Sequence, residues 1–383
     1  MLIGVPTEIK NNEFRVGLTP AGVTELVRHH HEVLVQAGAG VGSGLGDDAY
    51  REAGARIVPS AEEIWEQAAL VLKVKEPVGP ELQLMRRGQT LFAYLHLAAD
   101  PQLTHAVLES GTTAIAYETV TRGRSAGPAL PLLAPMSQVA GRLAPMAGAY
   151  HLTQAQGGSG ILMSGVPGTR RAHVAVVGAG VAGEAAAVVA AGMGADVTVL
   201  DINLDRLTQL DTVHRGRLRT LASSTLHIAE TVAEADLVIG SVLVPGAAAP
   251  KLVTAEMVAA MRPGSVLVDI AIDQGGCFEN SRPTTHQDPT YRVGEQVYYC
   301  VANIPGAVPQ TSTAALTNAT LPYVLRIADR GWREALAADE GLLAGLNAHE
   351  GVLAHEGVTD AVAGPLGLDP ELDYRPASEM VSS

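Results

Sequence analysis

The chain has 383 residues, 47% of them hydrophobic and only 4% aromatic, with a formal net charge of −14. That length exceeds what one hydrophobic core organises, so two domains packed by aliphatic side chains are expected. The acid excess, with no basic stripe visible in the sequence, weighs against nucleic acid as a partner. Cys277 and Cys300 cannot build a disulfide framework and are expected as buried small hydrophobes.

Met1–Lys10 opens on a strand-like pattern (Leu2, Ile3, Val5) with no basic-then-apolar leader. Val33–Gln36, Leu70–Val74, Thr90–Tyr94 and Thr113–Tyr117 read as strands, and Pro20–Arg28 and Ala61–Gln67 as helices between them. His29-His30-His31 reads as surface histidines at a helix end, and no Cys/His spacing supports a metal site. A helical pattern then runs from Ser137 through Tyr150 to Gln156. A second alternation follows, with strands expected at Val174–Val177, Asp196–Leu200, Leu237–Ile239, Ser265–Asp269 and Tyr298–Ala302. Leu316–Leu325 and Trp332–Gly345 read as helices. The longest apolar stretch, Val174–Leu200, carries Glu184, Asp196 and five glycines, a nucleotide-fold pattern and not a membrane span. A cytoplasmic protein without a membrane partner is expected.

Strands alternating with helices predict an α/β protein of two Rossmann-like domains with mainly parallel sheets and a cleft between them. The expected division is a first domain over 1–131, a dinucleotide-binding domain over 132–309, and a mostly helical return over 310–383.

Gly178-Ala179-Gly180-Val181-Ala182-Gly183 carries the sharpest signal. GxGxxG alone is weak, but here a strand (Ala172–Val177) precedes it and a helical run (Glu184–Met193) follows. A second strand then ends on Asp201, 23 positions after Gly178. Gly178 permits the tight turn, Gly180 lets backbone approach a pyrophosphate, and Gly183 allows close helix–strand packing. The helix N-terminus offers N–H groups to phosphates. Asp201 would bind ribose hydroxyls and favour NAD over NADP, although Arg206 nearby leaves room for a 2′-phosphate.

Three cationic or titratable side chains close strand-like segments of the first domain: Arg15 after the first strand, Lys75 in Leu72–Pro77 and His96 in Phe92–His96. Arg15 suits a carboxylate clamp, Lys75 a second cation or a carbonyl polariser, and His96 general acid–base work. From spacing alone each is weak, since a lone His is more often structural and a lone Lys or Arg is usually solvated. Asp273 reads as a turn-former or a site residue, and Glu118 as a salt bridge or turn contact before a catalytic group.

Together these segments resemble the alanine dehydrogenase family. The resemblance rests on Gly4–Val16, Leu72–Pro77, Tyr94–Ala98, Leu132–Ser137 and Val266–Gly276, and it covers nearly the whole chain. It implies NAD-dependent interconversion of L-alanine with pyruvate and ammonia by a homohexamer. Arg15 and Lys75 match the family's substrate-binding pair, and His96 and Asp273 its acid–base residues. Cofactor contacts are implied at Ser137, Gly178, Gly180, Val181, Ala182, Gly183, Asp201, Arg206, Ser223, Val242, Leu243, Ile270, Asp273, Val301, Asn303 and Ile304. Ile304 stands where some relatives carry Met, a swap that preserves apolar bulk.

The nearest rival is the soluble NAD-binding subunit of a proton-translocating transhydrogenase, which shares the architecture. The cationic pair with His96 argues against it, as does Ala134-Pro135-Met136-Ser137 where that subunit would carry an arginine-bearing loop. An opine- or saccharopine-type reductase and a catalytically silent NAD-binding protein are the remaining alternatives.

Overall fold

Runs of aliphatic and β-branched residues bounded by turn formers fold into fifteen strands among the residues described by the computed structural model, 1–122, 129–242, 249–368 and 373–382. In chain order they are β1 (Leu2–Val5), β2 (Glu32–Gln36), β3 (Arg56–Val58), β4 (Leu70–Leu72), β5 (Thr90–Ala93) and β6 (Thr113–Ala116). There follow β7 (His173–Val177), β8 (Asp196–Asp201), β9 (Arg219–Ala222), β10 (Leu237–Gly240) and β11 (Val266–Asp269). The last four are β12 (Thr290–Val293), β13 (Gln296–Tyr299), β14 (Leu346–His349) and β15 (Val352–Leu353). The chain divides into two compact units, Met1–Met136 with Val308–Ser383, and Ser137–Ala307.

The first unit holds one sheet in the order β15-β14-β6-β5-β4-β1-β2-β3. β1 to β6 run parallel, and β14 and β15 add an antiparallel hairpin beside β6. Every residue of β4, β5 and β6 is buried, as expected for parallel strands covered on both faces. Order 3-2-1-4-5-6 is the doubly wound arrangement, with its topological switch point between β1 and β4.

The second unit repeats that order as β9-β8-β7-β10-β11-β13, and β12 closes the far edge antiparallel to β13. One face packs Val174, Val176, Val199, Ile239 and Val268 against the small side chains Ala186, Ala187 and Ala190 of the helix Val181–Gly192. Alanines there let the helix lie close to the sheet. The opposite face buries Ala175, Val177, Val238, Leu267, Cys277, Phe278 and Cys300. Two α/β units with mainly parallel sheets are thus what the alternating pattern predicts.

Several elements differ from the sequence reading. The return segment is not helical throughout: after the helices Pro309–Arg330, Trp332–Ala337 and Glu340–Leu343 it supplies β14 and β15. β14 reads poorly because Leu346–His349 is only four residues long and Asn347 and Ala348 have low strand propensity. Its pairing with β6 decides its conformation. The expected strand Tyr298–Ala302 lies earlier, at Gln296–Tyr299, where Val297–Tyr299 pair with Val266–Val268; beyond it only Val301 bridges to Thr284. The connecting helix runs from Ala134 to His151 and a separate 3-10 turn covers Gln154–Gln156. His31 is not a surface residue: it is 9% exposed, with Nε2 2.8 Å from Asp329 and Nδ1 3.1 Å from the Met1 amine. Among the described residues no helix is long and apolar enough to cross a membrane, and no cluster of three or more His, Cys, Asp or Glu could hold a metal.

Candidate active site

Three loops at the carboxyl ends of β1, β4 and β5 carry Arg15, Lys75 and His96. The first two strands flank the switch point, and in this class of sheet ligands sit beyond the strand ends there.

Arg15 is 2% exposed. Its Nε donates to Glu13 Oε1 at 2.6 Å and its Nη2 to Glu13 Oε2 at 2.5 Å, a parallel fork, while Nη1 lies 3.0 Å from Met136 Sδ. Burial works against the guanidinium charge, but the Glu13 carboxylate outweighs it and raises the Arg15 pKa.

β4 continues into Lys73 and Lys75, which take opposite environments. Lys73 is fully buried between two carboxylates, its Nζ donating to Glu8 at 3.1 Å and to Glu81 at 2.8 Å. Burial opposes its charge; Glu8 and Glu81 overcome that and raise its pKa. Glu8 also accepts the Val74 N–H at 2.6 Å, so this triad pins the loop after β1 to the end of β4. Lys75 is only 9% exposed, yet makes no hydrogen bond or ion pair among the described residues. Next to it, burial pushes the Glu76 carboxyl up, but the Lys75 charge and an ion pair with Lys10 outweigh this and leave it below the usual range. A nearly buried ammonium with no bonded partner is costly unless something completes it, which makes Lys75 the most ligand-ready cation of this loop cluster.

His96 occupies the left-handed region at φ 51°. Glu118 holds it there: Oε1 accepts the His96 N–H at 2.6 Å, and both oxygens accept the Leu95 N–H at 3.3 Å. The same oxygen lies 3.9 Å from His96 Nδ1. The imidazole stacks on Tyr94 at 6.0 Å between centroids and 5° between planes. Tyr94 is fixed in turn by donating to the Leu132 carbonyl at 2.5 Å and by an edge-on contact with Tyr117. Glu118 is therefore a turn contact, the role its sequence context favours, and it is also the acid nearest the candidate base.

In the second unit the glycine-rich turn after β7 has distinct constraints at each glycine. Gly178 has φ 103°, and a Cβ there would lie 3.0 Å from the Ser241 backbone. A Cβ at Gly183 would come 1.8 Å from the Gly178 carbonyl oxygen, whereas at Gly180 nothing lies within 4 Å. Gly180 is the N-cap of the helix Val181–Gly192, with no side chain capping its N–H groups. The open side of this turn and its bare helix end have the form of an anion cradle.

Around the cradle, Asp201 ends β8 and accepts the Ala179 N–H at 2.6 Å and the Asn203 N–H at 2.8 Å. The Ser223 N–H binds the Asp201 carbonyl. Arg206 is spoken for: Nε donates to the Ala179 carbonyl at 2.8 Å, Nη2 to Glu184 at 2.5 Å and Nη1 to Gln209 at 2.5 Å. Ser241, at the end of β10, donates to the carbonyls of Val177 and Gly178, and Val242 packs against the cluster that holds Val177 and Val238. Val181 and Ala182 form the first turn of the helix and Ser137 the first turn of Ala134–His151. Val301 and Ile304 share a cluster with Ala140, against which Ile270 packs. Asn303, at φ 60°, turns the chain between them. Leu243 lies outside the described residues.

Asp273 sits exposed in the 3-10 turn Ile270–Gln274 that follows β11. It is not the turn-former: Asp269 is, accepting the Ala271 N–H at 3.1 Å, the Cys277 N–H at 2.9 Å and the Ser281 hydroxyl at 2.5 Å. Sequence reasoning missed Glu13, Glu8 and Lys73. A Glu two residues before an Arg, and a Lys alternating with another along one strand, were available signals, but only the fold shows them buried together.

The comparisons with known proteins extend over the same segments. Residues 4–140 match the family model described as alanine dehydrogenase/PNT, N-terminal domain, and residues 144–356 match its C-terminal domain. The chain is 61% identical to an alanine dehydrogenase of Mycolicibacterium smegmatis over 94% of this chain and 96% of that one. It is 53% identical to that of Bacillus subtilis over 99% and 97%. A solved L-alanine dehydrogenase superposes with a TM-score of 0.90 at 50% identity, covering 95% of this chain and 99% of that one. A transhydrogenase from Sinorhizobium meliloti superposes at 0.78 with 27% identity, over 93% and 99%. Two doubly wound units, a cradle on one and a cation cluster at the switch point of the other, matched along nearly their whole length, place this chain in the alanine dehydrogenase/PNT family.

Proposed function

We propose that this chain is an L-alanine dehydrogenase, which converts L-alanine, water and NAD+ to pyruvate, ammonium, NADH and a proton, and the reverse. The observation that carries the reading is Lys75, nearly buried and without a bonded partner among the described residues, at the same sheet end as Arg15 and His96. A module that only handed on a dinucleotide would have no need of it. The higher similarity to alanine dehydrogenases than to the transhydrogenase supports the same choice.

The second unit's residues fit NAD. Gly180 leaves room for a pyrophosphate against an uncapped helix N-terminus, and Asp201 stands at the ribose end of the unit. Arg206 spends its donors on Ala179, Glu184 and Gln209, which leaves it poorly placed to grip a 2′-phosphate and favours NAD over NADP. When bound, NAD supplies the acceptor for the hydride on the substrate's Cα. Ser137, Val181, Ala182, Ser223, Val242, Leu243, Ile270, Val301, Asn303 and Ile304 are proposed to contact it.

In the first unit, Lys75 and Arg15 hold the substrate carboxylate, and Lys75 also polarises the carbonyl of pyruvate. His96, with its Nδ1 edge toward Glu118, exchanges protons with the amine and with the water that attacks the imine carbon. Asp273, whose carboxylate has no hydrogen bond among the described residues, is assigned the second proton-exchanging or positioning role. The same reading carries a homohexamer as the assembly and the cytoplasm as the compartment. The purified full chain should reduce NAD+ only when L-alanine is present, and oxidise NADH only with pyruvate and ammonium. Equal rates without amino acid, or a requirement for lysine or ornithine, would overturn it.

A further inference from the structure

The second unit has a charged groove at the edge of its sheet away from the glycine-rich turn. It is formed at the amino ends of β7, β8 and β9, whereas the turn and Asp201 lie at their carboxyl ends. Its volume is about 720 Å³, and five arginines line it: Arg170, Arg171, Arg217, Arg219 and Arg262. The sequence shows no basic stripe because these come from three separate segments, which the parallel strands bring to one rim.

The groove is not neutralised from within. Arg170 donates to Asp236 at 2.6 and 2.9 Å, and Arg262 reaches the same carboxylate at 3.5 Å, so one buried acid serves two arginines. Arg171 stands 3.9 Å from Asp196. The guanidinium groups of Arg217 and Arg219 have no hydrogen bond or ion pair among the described residues. Glu234 is the remaining acid, so the rim keeps more arginines than carboxylates in a chain whose net charge is −14.

We propose that this groove is a binding site for a compact polyphosphate chain, separate from the dinucleotide cradle. Arginine forks match tetrahedral oxyanions. The volume is far more than one phosphate needs and lies within the range of small-molecule sites. A compact ligand senses mainly charges within a Debye length, roughly 8 Å at physiological salt, where arginine prevails. A long nucleic acid would extend over the acidic remainder of the surface and be repelled. Two sources share the chemistry, an inorganic polyphosphate and the triphosphate of a nucleotide.

The test titrates tripolyphosphate and ATP, each without metal, into the full-length protein by calorimetry at 150 mM salt, with and without saturating NADH. The double variant Arg217→Ser/Arg219→Ser is compared with the wild type. Both substitutions are at exposed positions outside the cradle and the candidate site, so alanine-dependent NAD+ reduction should be unchanged. Saturable binding of tripolyphosphate that persists with NADH present, and weakens about tenfold or more in the variant, is expected. Comparable binding of ATP would show that the phosphate chain suffices; binding of ATP alone, lost in the variant and kept with NADH, would assign the nucleotide source. No saturable binding, binding displaced by NADH, or equal affinity in the variant would each overturn the site. None of these readouts depends on the amino-acid substrate.

Discussion

Glu13 holds Arg15 by two parallel hydrogen bonds inside the first unit, so one edge of the guanidinium is committed within the chain. On the proposed function, Arg15 holds the substrate carboxylate together with Lys75. Arg15→Lys keeps the charge and loses the fork. The expected result is a KM for alanine and pyruvate raised by one to two orders of magnitude, with NADH affinity within twofold of wild type. Unchanged KM values would remove Arg15 from substrate binding. Glu13→Ala strands a buried cation and should cost about 3–5 kcal/mol in urea unfolding.

Lys75 gives the opposite pattern of stability and activity. Its ammonium has no bonded partner among the described residues, so Lys75→Met discards a desolvated charge and should leave the unfolding midpoint equal or higher. Turnover should fall about 10²-fold or more. A variant that turns over normally would show the ammonium to be an ordinary structural lysine.

The glycine-rich turn separates folding from cofactor binding. At Gly183 an added methyl would stand 1.8 Å from a carbonyl oxygen, so Gly183→Ala should lower the melting temperature and weaken NADH together. Gly180 faces open space, with no atom within 4 Å of a new Cβ. Gly180→Ala should therefore melt like wild type while its NADH dissociation constant rises about tenfold. Fluorescence titration beside thermal melts reads both, and a Gly180→Ala protein with native affinity would move the pyrophosphate elsewhere.

Asp236 predicts an acid limb of stability. Burial pushes its carboxyl up, but Arg170, the His173 N–H and Arg262 together outweigh this and hold it below its ordinary 3.8. A depressed folded value means its contribution is complete above that ordinary value and is lost as pH falls through the folded one. In urea melts, Asp236→Asn should lag the wild type by a constant margin from neutral pH to about pH 5. The margin should close below that. A gap that stays constant to pH 3 would show that lost packing, and not the ionised carboxylate, is responsible.

The parallel strands and the glycine-rich turn were legible because both rest on local pattern: apolar runs of strand length, and glycine where φ must be positive or backbone must come close. β14 was not, since Asn347 and His349 carry no strand signal and their conformation follows from pairing with residues more than two hundred positions earlier. Candidate residues were legible as chemistry but not as environment. Lys73 and Lys75 look alike in sequence, and only the fold buries one between two acids and leaves the other without a bonded partner. Asp269 and Asp273 divide in the same way, the first tied into the turn and the second exposed.

The hairpin β14–β15 sets a timetable for synthesis. β6 is complete when residue 116 leaves the ribosome, but its outer edge stays unpaired until Leu346–His349 emerge. At roughly 5–20 residues per second that is a wait on the order of ten seconds or longer. During it, a mainly apolar strand, buried along its whole length in the finished fold, presents bare N–H and C=O groups to its surroundings, the condition under which nascent chains pair wrongly. Truncation before residue 346 should yield a first unit that aggregates, and chaperone demand in the cell should be highest in that interval.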